Sequence, residues 1–461
     1  MFFKQYIIKY IFLLVFIGAL AGCSYYQKNI KLMNAFEEKN FVKAEGILDN
    51  KKWEKKKRNI LLYYLNKGTV LHMVGKYKES NEYFQKADYY IEDYHKNYAL
   101  KALSFISNPN VEPYGGENYE KILLHYYSTL NYLKLNSLDD ALIECKRMLL
   151  VMDNISTYYK KNNKYNRDAF THLLLGIIYD AQHDYGNAFI AYRNAYEVYR
   201  DDYKPLLGTE IPLQLKKDLL RTAYLNGSYN DLDEYEKDFG FKYDRSKIIE
   251  SSLVCFWNNG LCPIKEQNSI TFVITNIGNG SVLFTNVELG LTIPFYVGED
   301  KDQMNKLLNM KIIRVSFPKF VSRPPVFQNA YLKTATDSIP LEMAENVDGI
   351  AHRSLQDRML KELGETLLRF AMKKVAEMEV SKQNKGGGDL LGIMNAITEQ
   401  ADTRNWQMMP YSINYTRVNL KEGRNDLTIK AIGIPGHPNQ IDTLTITSTK
   451  NKTFFHSFTA F

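Results

Sequence analysis

Three stretches in the first half of the chain repeat one frame. "GTVLHMVGKYKESNEYFQKA" places Gly68, Leu71, Gly75, Tyr77, Ser80, Phe84 and Ala87. "GIIYDAQHDYGNAFIAYRNA" places Gly176, Tyr179, His183, Tyr185, Ala188, Tyr192 and Ala195 at the same intervals. Between them, "TLNYLKLNSLDDALIECKRM" sets Thr129, Tyr132, Asn136, Leu138, Ala141, Cys145 and Met148 in that frame. Small and aromatic residues so spaced call for antiparallel helix pairs. The small residues let two helices approach closely, and the aromatic rings wedge into the next pair. Gly75 suits the tight turn between helices. One pair alone cannot bury its apolar side, so pairs must stack into a solenoid. Weaker copies at "AFEEKNFVKAEGIL" and "AYLNGSYNDLDEYE" extend the array to three to five pairs, across residues 23–245. The spacing between frames is unequal. The insert "SNPNVEPYGGEN", with two prolines and a Gly-Gly, reads as a loop. Such a solenoid implies a concave groove for a protein or peptide partner.

Past residue 246 the texture changes. "SSLVCFW", "SITFVIT", "IIRVSFP" and "VFQNAYL" are short β-branched or aromatic runs bounded by Asn, Gly and Pro. After residue 407 the texture returns in "YSINYTRV", "LTIKAIGI", "TLTITST" and "TFFHSFTAF". Residues 341–406 between them carry helical periodicity through Ile350, Leu355, Leu363 and Leu367. The fold class expected is therefore α+β. An α-solenoid precedes one antiparallel β domain, a sandwich formed by residues 246–340 and 407–461 with a helical insertion. Asp348, Arg353, Asp357 and Arg358 read as a charge ladder on an exposed helix face. "NKGGGDLLG" reads as a linker, because it lacks the Lys-Ser/Thr of a phosphate cradle.

Residues 1–22 read as an export signal. Lys4 and Lys9 precede an apolar stretch too short to span a membrane comfortably. It ends in Leu20-Ala21-Gly22-Cys23, the form of a lipobox, in which the Cys23 thiol accepts diacylglycerol. A mature chain would begin at an acylated Cys23, and two or more acyl chains anchor stably. By resemblance to lipoproteins of bacteria whose sorting system retains Asp at that position, Ser24 after the anchor implies export to the outer membrane. The run "KKWEKKKR" at 51–58 either rests on anionic headgroups or glycan polymer, or is a solvated loop. The formal charge of +7 is mild for 461 residues and does not imply nucleic acid.

Residues able to carry chemistry are few. Cys255 and Cys262 flank "FWNNGL", whose Asn-Asn-Gly suits a hairpin. They either pair across two strands or remain buried thiols. In "EQADTRNW", Asp402 and Arg404 suit an ion pair at a helix end, with Trp406 as a packed anchor. No HExxH, P-loop or GxSxG motif occurs. The expectation is a chain with no cofactor, no metal and no catalytic activity.

Several stretches resemble an uncharacterised family of bacterial tetratricopeptide-repeat outer-membrane lipoproteins. They are the lipobox, "DDALIECKRM", "LLGIIYDAQHDYGNAFIAY", "NNGLCPIKEQ", "RVSFPKF", "ENVDGIAHRSLQDRM" and "EQADTRNWQMMP". Cys262 departs from that family's pattern. The resemblance implies architecture and location: a lipid-anchored envelope scaffold that binds protein partners. Related chains are similar in setting to lipoproteins that activate peptidoglycan synthases, so a regulator of a cell-wall enzyme is the alternative expectation. A hydrolase of envelope polymer is the least supported.

Overall fold

The computed structural model describes residues 27–50, 53–94, 112–159, 167–246, 251–296, 298, 301–383 and 401–461. The signal segment, Cys23 and the Gly-rich linker lie outside the described residues.

Among the described residues, ten helices form five antiparallel pairs. They are α1 (27–37) with α2 (Phe41–Leu48), α3 (Ile60–Val74) with α4 (Tyr77–Tyr94), α5 (Asn118–Lys134) with α6 (Leu138–Tyr159), α7 (Ala169–Ala181) with α8 (Tyr185–Val198), and α9 (Leu213–Leu225) with α10 (Tyr229–Phe239). Each pair turns on one residue of positive φ: Lys39 (58°), Gly75 (87°), Asn136 (56°), His183 (63°) and Gly227 (77°). Only two of the five are glycine, so the backbone position recurs where the residue type does not. The His183 ring is itself held, 3.0 Å from the Tyr185 hydroxyl and 3.0 Å from the Asn451 carbonyl oxygen.

The frame has a direct packing cause. A Cβ on Gly68 would lie 2.7 Å from the Phe84 ring, and one on Gly176 would lie 2.6 Å from the Tyr192 ring. At the equivalent position of the third pair, the Thr129 hydroxyl lies 3.7 Å from the Cys145 thiol. Ala87, Ala141, Ala188 and Ala195 are fully buried. Tyr77 and Tyr185 open α4 and α8, and with Tyr179 they are half-buried.

The second half builds three four-stranded sheets. The first has the order β12-β1-β9-β8, with β1 Ser251–Asn259, β8 Glu342–Glu345, β9 Ser412–Leu420 and β12 Lys452–Ala460. The second has the order β11-β10-β6-β7, with β6 Phe327–Lys333, β7 Ser338–Pro340, β10 Gly423–Gly433 and β11 Gln440–Ser448. The third has the order β4-β3-β2-β5, with β2 Ile264–Gly278, β3 Ser281–Asn286, β4 Leu291–Tyr296 and β5 Ile312–Val321. The first two enclose a core of Leu253, Cys255, Trp257, Leu332, Ile429 and Phe458. On its other face the first sheet presents Val254, Phe256 and Tyr415 to the solenoid core. Strand β1 is thus buried on both faces, which explains its continuous apolar run. Helices α11 (Lys301–Asn309) and α12 (Val347–Gln383) cover one face of the third sheet, through Met304, Leu307, Leu363 and Leu367.

Three expectations are corrected here, and the alternative left open for Cys255 and Cys262 is decided. Three sheets replace the single β domain, and β1 pairs parallel with β12 although the remaining pairings are antiparallel. Asn258-Asn259-Gly260 is not a hairpin turn, because the neighbours of β1 are β12 and β9. Cys255 and Cys262 are free thiols: Cys255 faces the core between the sheets, while Cys262 belongs to the solenoid-side core. The supposed exposed ladder on α12 is mostly inward. Asp348 is 7% exposed and accepts a hydrogen bond from Ser322, and Arg358 reaches Glu117 on α5. Only Arg353 and Asp357 keep the expected pairing, at 3.1 Å. In the basic run, Trp53 is buried and its indole N–H donates to the Ile47 carbonyl. Its neighbours Lys55, Lys57 and Arg58 are exposed.

Candidate functional site

The first helix of every pair turns toward the β half. From α1, Phe36 stacks on Phe461 at 5.3 Å and Glu37 pairs with Arg323 at 3.2 Å. From α3, Thr69 accepts the Trp406 indole N–H. From α5, Tyr126 donates to Asn258 at 2.8 Å. From α7 and α9, Asp180 and Asp218 receive Arg417. The α8 helix runs on through a π-helical stretch, Tyr199–Tyr203, which aims two hydroxyls at β8: Tyr199 donates to the Ala344 carbonyl and Tyr203 to Glu345. The inner face of the solenoid, expected to stand open as a groove, is therefore covered by the chain's own second half.

Two buried polar clusters make this contact. In one, Arg417 of β9 lies 2.7 Å from Asp180 and 3.2 Å from Asp218, and Arg221 of α9 bonds both carboxylates. Burial raises Asp180, but Arg417 and Arg221 outweigh it and hold the carboxyl at about 2. Burial wins at Asp218, which is shifted upward. In the other cluster, Glu117 at the start of α5 binds both Lys265 of β2 and Arg358 of α12. Those cations overcome burial and hold Glu117 at about 2. Its neighbour Glu120 has only neutral donors. It accepts from the Tyr114 hydroxyl at 2.7 Å, the Glu117 N–H at 3.0 Å and the Trp406 N–H at 2.7 Å. Burial, and then the Glu117 charge, lift Glu120 to about 7.

Asp402, Arg404 and Trp406 meet in this second cluster. Asp402 grips Arg404 with two bonds, at 2.8 and 2.7 Å. The Trp406 side chain is fully buried among Thr69, Phe84 and Tyr127. The Cys262 thiol donates to the Trp406 carbonyl, and burial raises it to about 12. Cys255 is raised further, again by burial, so neither is a reactive thiolate.

The outer face differs. Between α4, α5 and α6 lies a cleft of about 390 Å³, rimmed by Lys78, Glu82, Gln85, Tyr132, Ile143 and Arg147. His125 forms its floor, 2.7 Å from Glu144 and 3.6 Å from Asp88. Arg147 reaches across the cleft to Asp88 at 3.1 Å. Asp88 is raised, by burial first, against the pull of His125 and Arg147. The second helices also leave large apolar side chains exposed: Val42, Tyr89, Ile143, Leu150, Ile190 and Tyr229. Apart from Tyr132, a repeat-frame residue, these cleft residues and Glu117, Glu120, Asp180, Asp218 and Arg417 escaped the sequence reading. The available signal was a charge or histidine set inside an apolar run, as in "YEKILLHYY" and "INYTRV". Among the described residues, no cluster of His, Cys, Asp or Glu is able to hold a metal, and no helix is long and apolar enough to cross a membrane.

Compared with known proteins, the sequence matches no family model and no curated protein. Among solved structures, the chain is similar to the apo form of RapI (16% identity, TM-score 0.34), over 46% of this chain and 52% of that one, about half its length. It is also similar to MamA from Desulfovibrio magneticus RS-1 (15% identity, TM-score 0.28, 47% of this chain and 90% of that one). A third is a kinesin light chain with TPR-like repeats from Podosopora anserina (12% identity, TM-score 0.31, 46% and 91%). The likenesses are slight, and the repeat architecture rests on the five helix pairs themselves.

Proposed function

We propose that this chain is a lipid-anchored interaction scaffold of the bacterial envelope, which takes a protein partner on the outer face of its solenoid. The observation that carries this reading is the contrast between the two solenoid faces. The inner face is filled by the chain itself, whereas the outer one carries the α4–α5–α6 cleft and a series of exposed apolar side chains. Exposed apolar groups around a polar cleft suit a protein surface with a desolvated centre and a polar rim. Ile143, 51% exposed at the cleft rim, is the best-placed anchor contact. The anchor itself is read from Leu20-Ala21-Gly22-Cys23, and Ser24 favours the outer membrane. No catalytic role is assigned, since Asp88 and Glu144 are engaged by Arg147 and His125. Regulation of a cell-wall synthesis enzyme is the more specific version of the same reading.

A photo-crosslinking residue at position 143 in living cells tests the surface. A specific adduct is expected there, absent from a control at Lys319 on β5 and lost when Gln85→Glu and Arg147→Glu are combined. Identical adducts at 143 and 319 would defeat the proposal. Cys23→Ser tests the anchor: an unprocessed precursor without acylation is expected, and normal processing with retained membrane partitioning would refute the lipoprotein reading.

A further inference from the structure

The basic run that follows α2 is held in place by its own backbone. Trp53 is buried, and its indole N–H donates to the Ile47 carbonyl at 2.9 Å. The N–H groups of Trp53, Lys56 and Asn59 donate to the carbonyls of Asn50, Trp53 and Lys56, a succession of tight turns. The Arg58 carbonyl then accepts from the Tyr114 N–H at 2.8 Å and from the Arg404 guanidinium at 3.0 Å. Lys55, Lys57 and Arg58 are therefore presented to solvent from an ordered segment. On α1, Lys31 is exposed and Lys28 half-buried, one helical turn apart on one face. Burial, and then the nearby Lys28 and Arg58 charges, push the Lys56 ammonium below its ordinary range, so α1 and the run stand side by side.

The carboxylates of the first helix pair are engaged by other cations. Glu37 pairs with Arg323 at 3.2 Å, Glu38 with Lys43 at 3.4 Å, Glu45 with Lys76 at 2.8 Å and Asp49 with Lys67 at 2.6 Å. Glu54, inside the run, accepts from the Tyr63 hydroxyl at 3.3 Å. Among the described residues, Lys28, Lys31, Lys55, Lys57 and Arg58 enter no ion pair. The surface is thus a fixed local excess of positive charge on a chain that is only mildly basic as a whole. Its place relative to the anchor follows from chain length. Five residues separate Cys23 from Lys28. Even fully extended, they hold that side of α1 within roughly 18 Å of an acylated Cys23. Anionic headgroups attract cations brought to the bilayer surface, and the attraction fades over a Debye length of about 8 Å.

We propose that the surface formed by Lys28, Lys31, Lys55, Lys57 and Arg58 docks on the anionic phospholipid headgroups of the membrane that carries the anchor. Two observations select this occupant: the unbalanced positive charge, and the short tether that keeps it beside the bilayer. The contact adds to the acyl chains and converts a swivelling attachment into a set orientation. The first helix pair then lies at the bilayer, and the later pairs stack away from it. The inference rests on the lipoprotein reading of Cys23, and a partner on the outer face of the solenoid plays no part in it.

The test uses the chain from Ser24 onward, which keeps every described residue and carries no acyl group, so that binding reports the surface alone. It is sedimented with vesicles of phosphatidylglycerol and phosphatidylcholine, or of phosphatidylcholine alone. Binding is expected only where phosphatidylglycerol is present, and should weaken as salt is added. Combining Lys55→Gln, Lys57→Gln and Arg58→Gln should weaken it on the order of 100-fold. Those side chains are exposed, so the circular dichroism of the variant should match the parent's. Lys217→Gln, Lys237→Gln and Lys242→Gln remove the same charge from exposed positions at the far end of the solenoid and should leave binding nearly unchanged. Binding to neither vesicle, equal binding to both, or an equal loss in the two triple variants overturns the proposal. Retention on isolated peptidoglycan in place of vesicles overturns it too. Failure here is distinct from failure of the anchor. Normal acylation of Cys23 without vesicle binding removes the surface and keeps the lipoprotein, whereas phosphatidylglycerol-specific binding by a chain that is never acylated keeps the surface and removes the anchor.

Discussion

The two buried polar clusters that join the halves have the same formal composition, two carboxylates against two cations, yet they are arranged differently. At Asp180, Asp218, Arg221 and Arg417, each carboxylate touches both guanidinia. All four groups stand on regular elements, two helices and a strand. At Glu117, Glu120, Lys265 and Arg358, one carboxylate takes both cations. The other, Glu120, is left with the neutral donors Tyr114, Glu117 N–H and Trp406 N–H. Equal charge therefore does not mean equal behaviour. The first cluster is a fixed clasp between rigid parts. The second holds an irregular segment through a carboxyl that titrates near neutrality.

The largest expected effect lies in the first clasp. Arg417→Met leaves Arg221 as the one cation facing two buried carboxylates, a net buried negative charge, and should cost about 3–5 kcal/mol in chemical denaturation. Adding Asp218→Asn should recover more than half of that loss, because Asp180 then faces Arg221 one to one and no buried charge of the cluster lacks a partner. Lys265→Met is the matched change in the second cluster. Arg358 still faces Glu117, so its cost should be clearly smaller. Equal costs at the two sites would break the contrast.

A change in the repeat frame reaches the first clasp from the other side. Tyr192 donates to Asp180 at 3.3 Å, and Arg417 donates to the Tyr192 hydroxyl at 3.2 Å. The Tyr192 ring also closes on Gly176. Gly176→Leu should push the ring aside and cost roughly 1–3 kcal/mol by overpacking. If thermal unfolding of that variant is unchanged, the helices do not meet at Gly176 as described.

Such contacts separate what was legible in the sequence from what was not. Gly176 and Tyr192 lie in one frame, and their pairing follows from helical spacing. The frame also placed the turns at Gly75, Asn136 and His183. Trp406 was legible as an anchor, since a lone tryptophan beside an ion pair has few other uses. Arg417 meeting Asp180 was not, because those residues lie in different halves and nothing local announces their contact. Likewise, "SSLVCFW" signalled a strand but not that its neighbour would be the last strand, running parallel. Strand pairing depends on long-range register, to which local pattern is blind. Charges such as Glu120 and Arg417 resembled surface charges until a second element covered them.

The second cluster should respond to pH near neutrality, through Glu120. The folded pKa of Glu120, about 7, lies above its ordinary value of 4.5. Its contribution is fully present below about 4.5 and is lost as pH rises through about 7. Glu117 works in the opposite direction: its stabilisation is present above 4.5 and lost as pH falls toward 2. Buried His72, lowered to about 4 by burial, also loses stabilisation in acid, between 6.5 and 4. Glu120→Gln isolates the first effect. Between pH 5 and 8 the parent should lose roughly 1–3 kcal/mol relative to that variant. Parallel stability curves would mean that Glu120 carries no pH dependence of its own.

The smallest effect is expected at the edge of the second cluster. Asp402 and Arg404 are bound twice, but their side chains remain 26% and 14% exposed. Water therefore screens the pair, and Asp402→Ala should cost less than about 1 kcal/mol. Arg404 would still have the Arg58 carbonyl and the Tyr114 ring to hold it. The loss should shrink further in added salt, because a partly exposed pair is screened more than buried Glu117 and its cations. A cost above about 2 kcal/mol, indifferent to salt, would show that the segment's polar end is as fixed as the Arg417 clasp. The distinction between a rigid joint and a held segment would then fail at the point where it is most exposed to test.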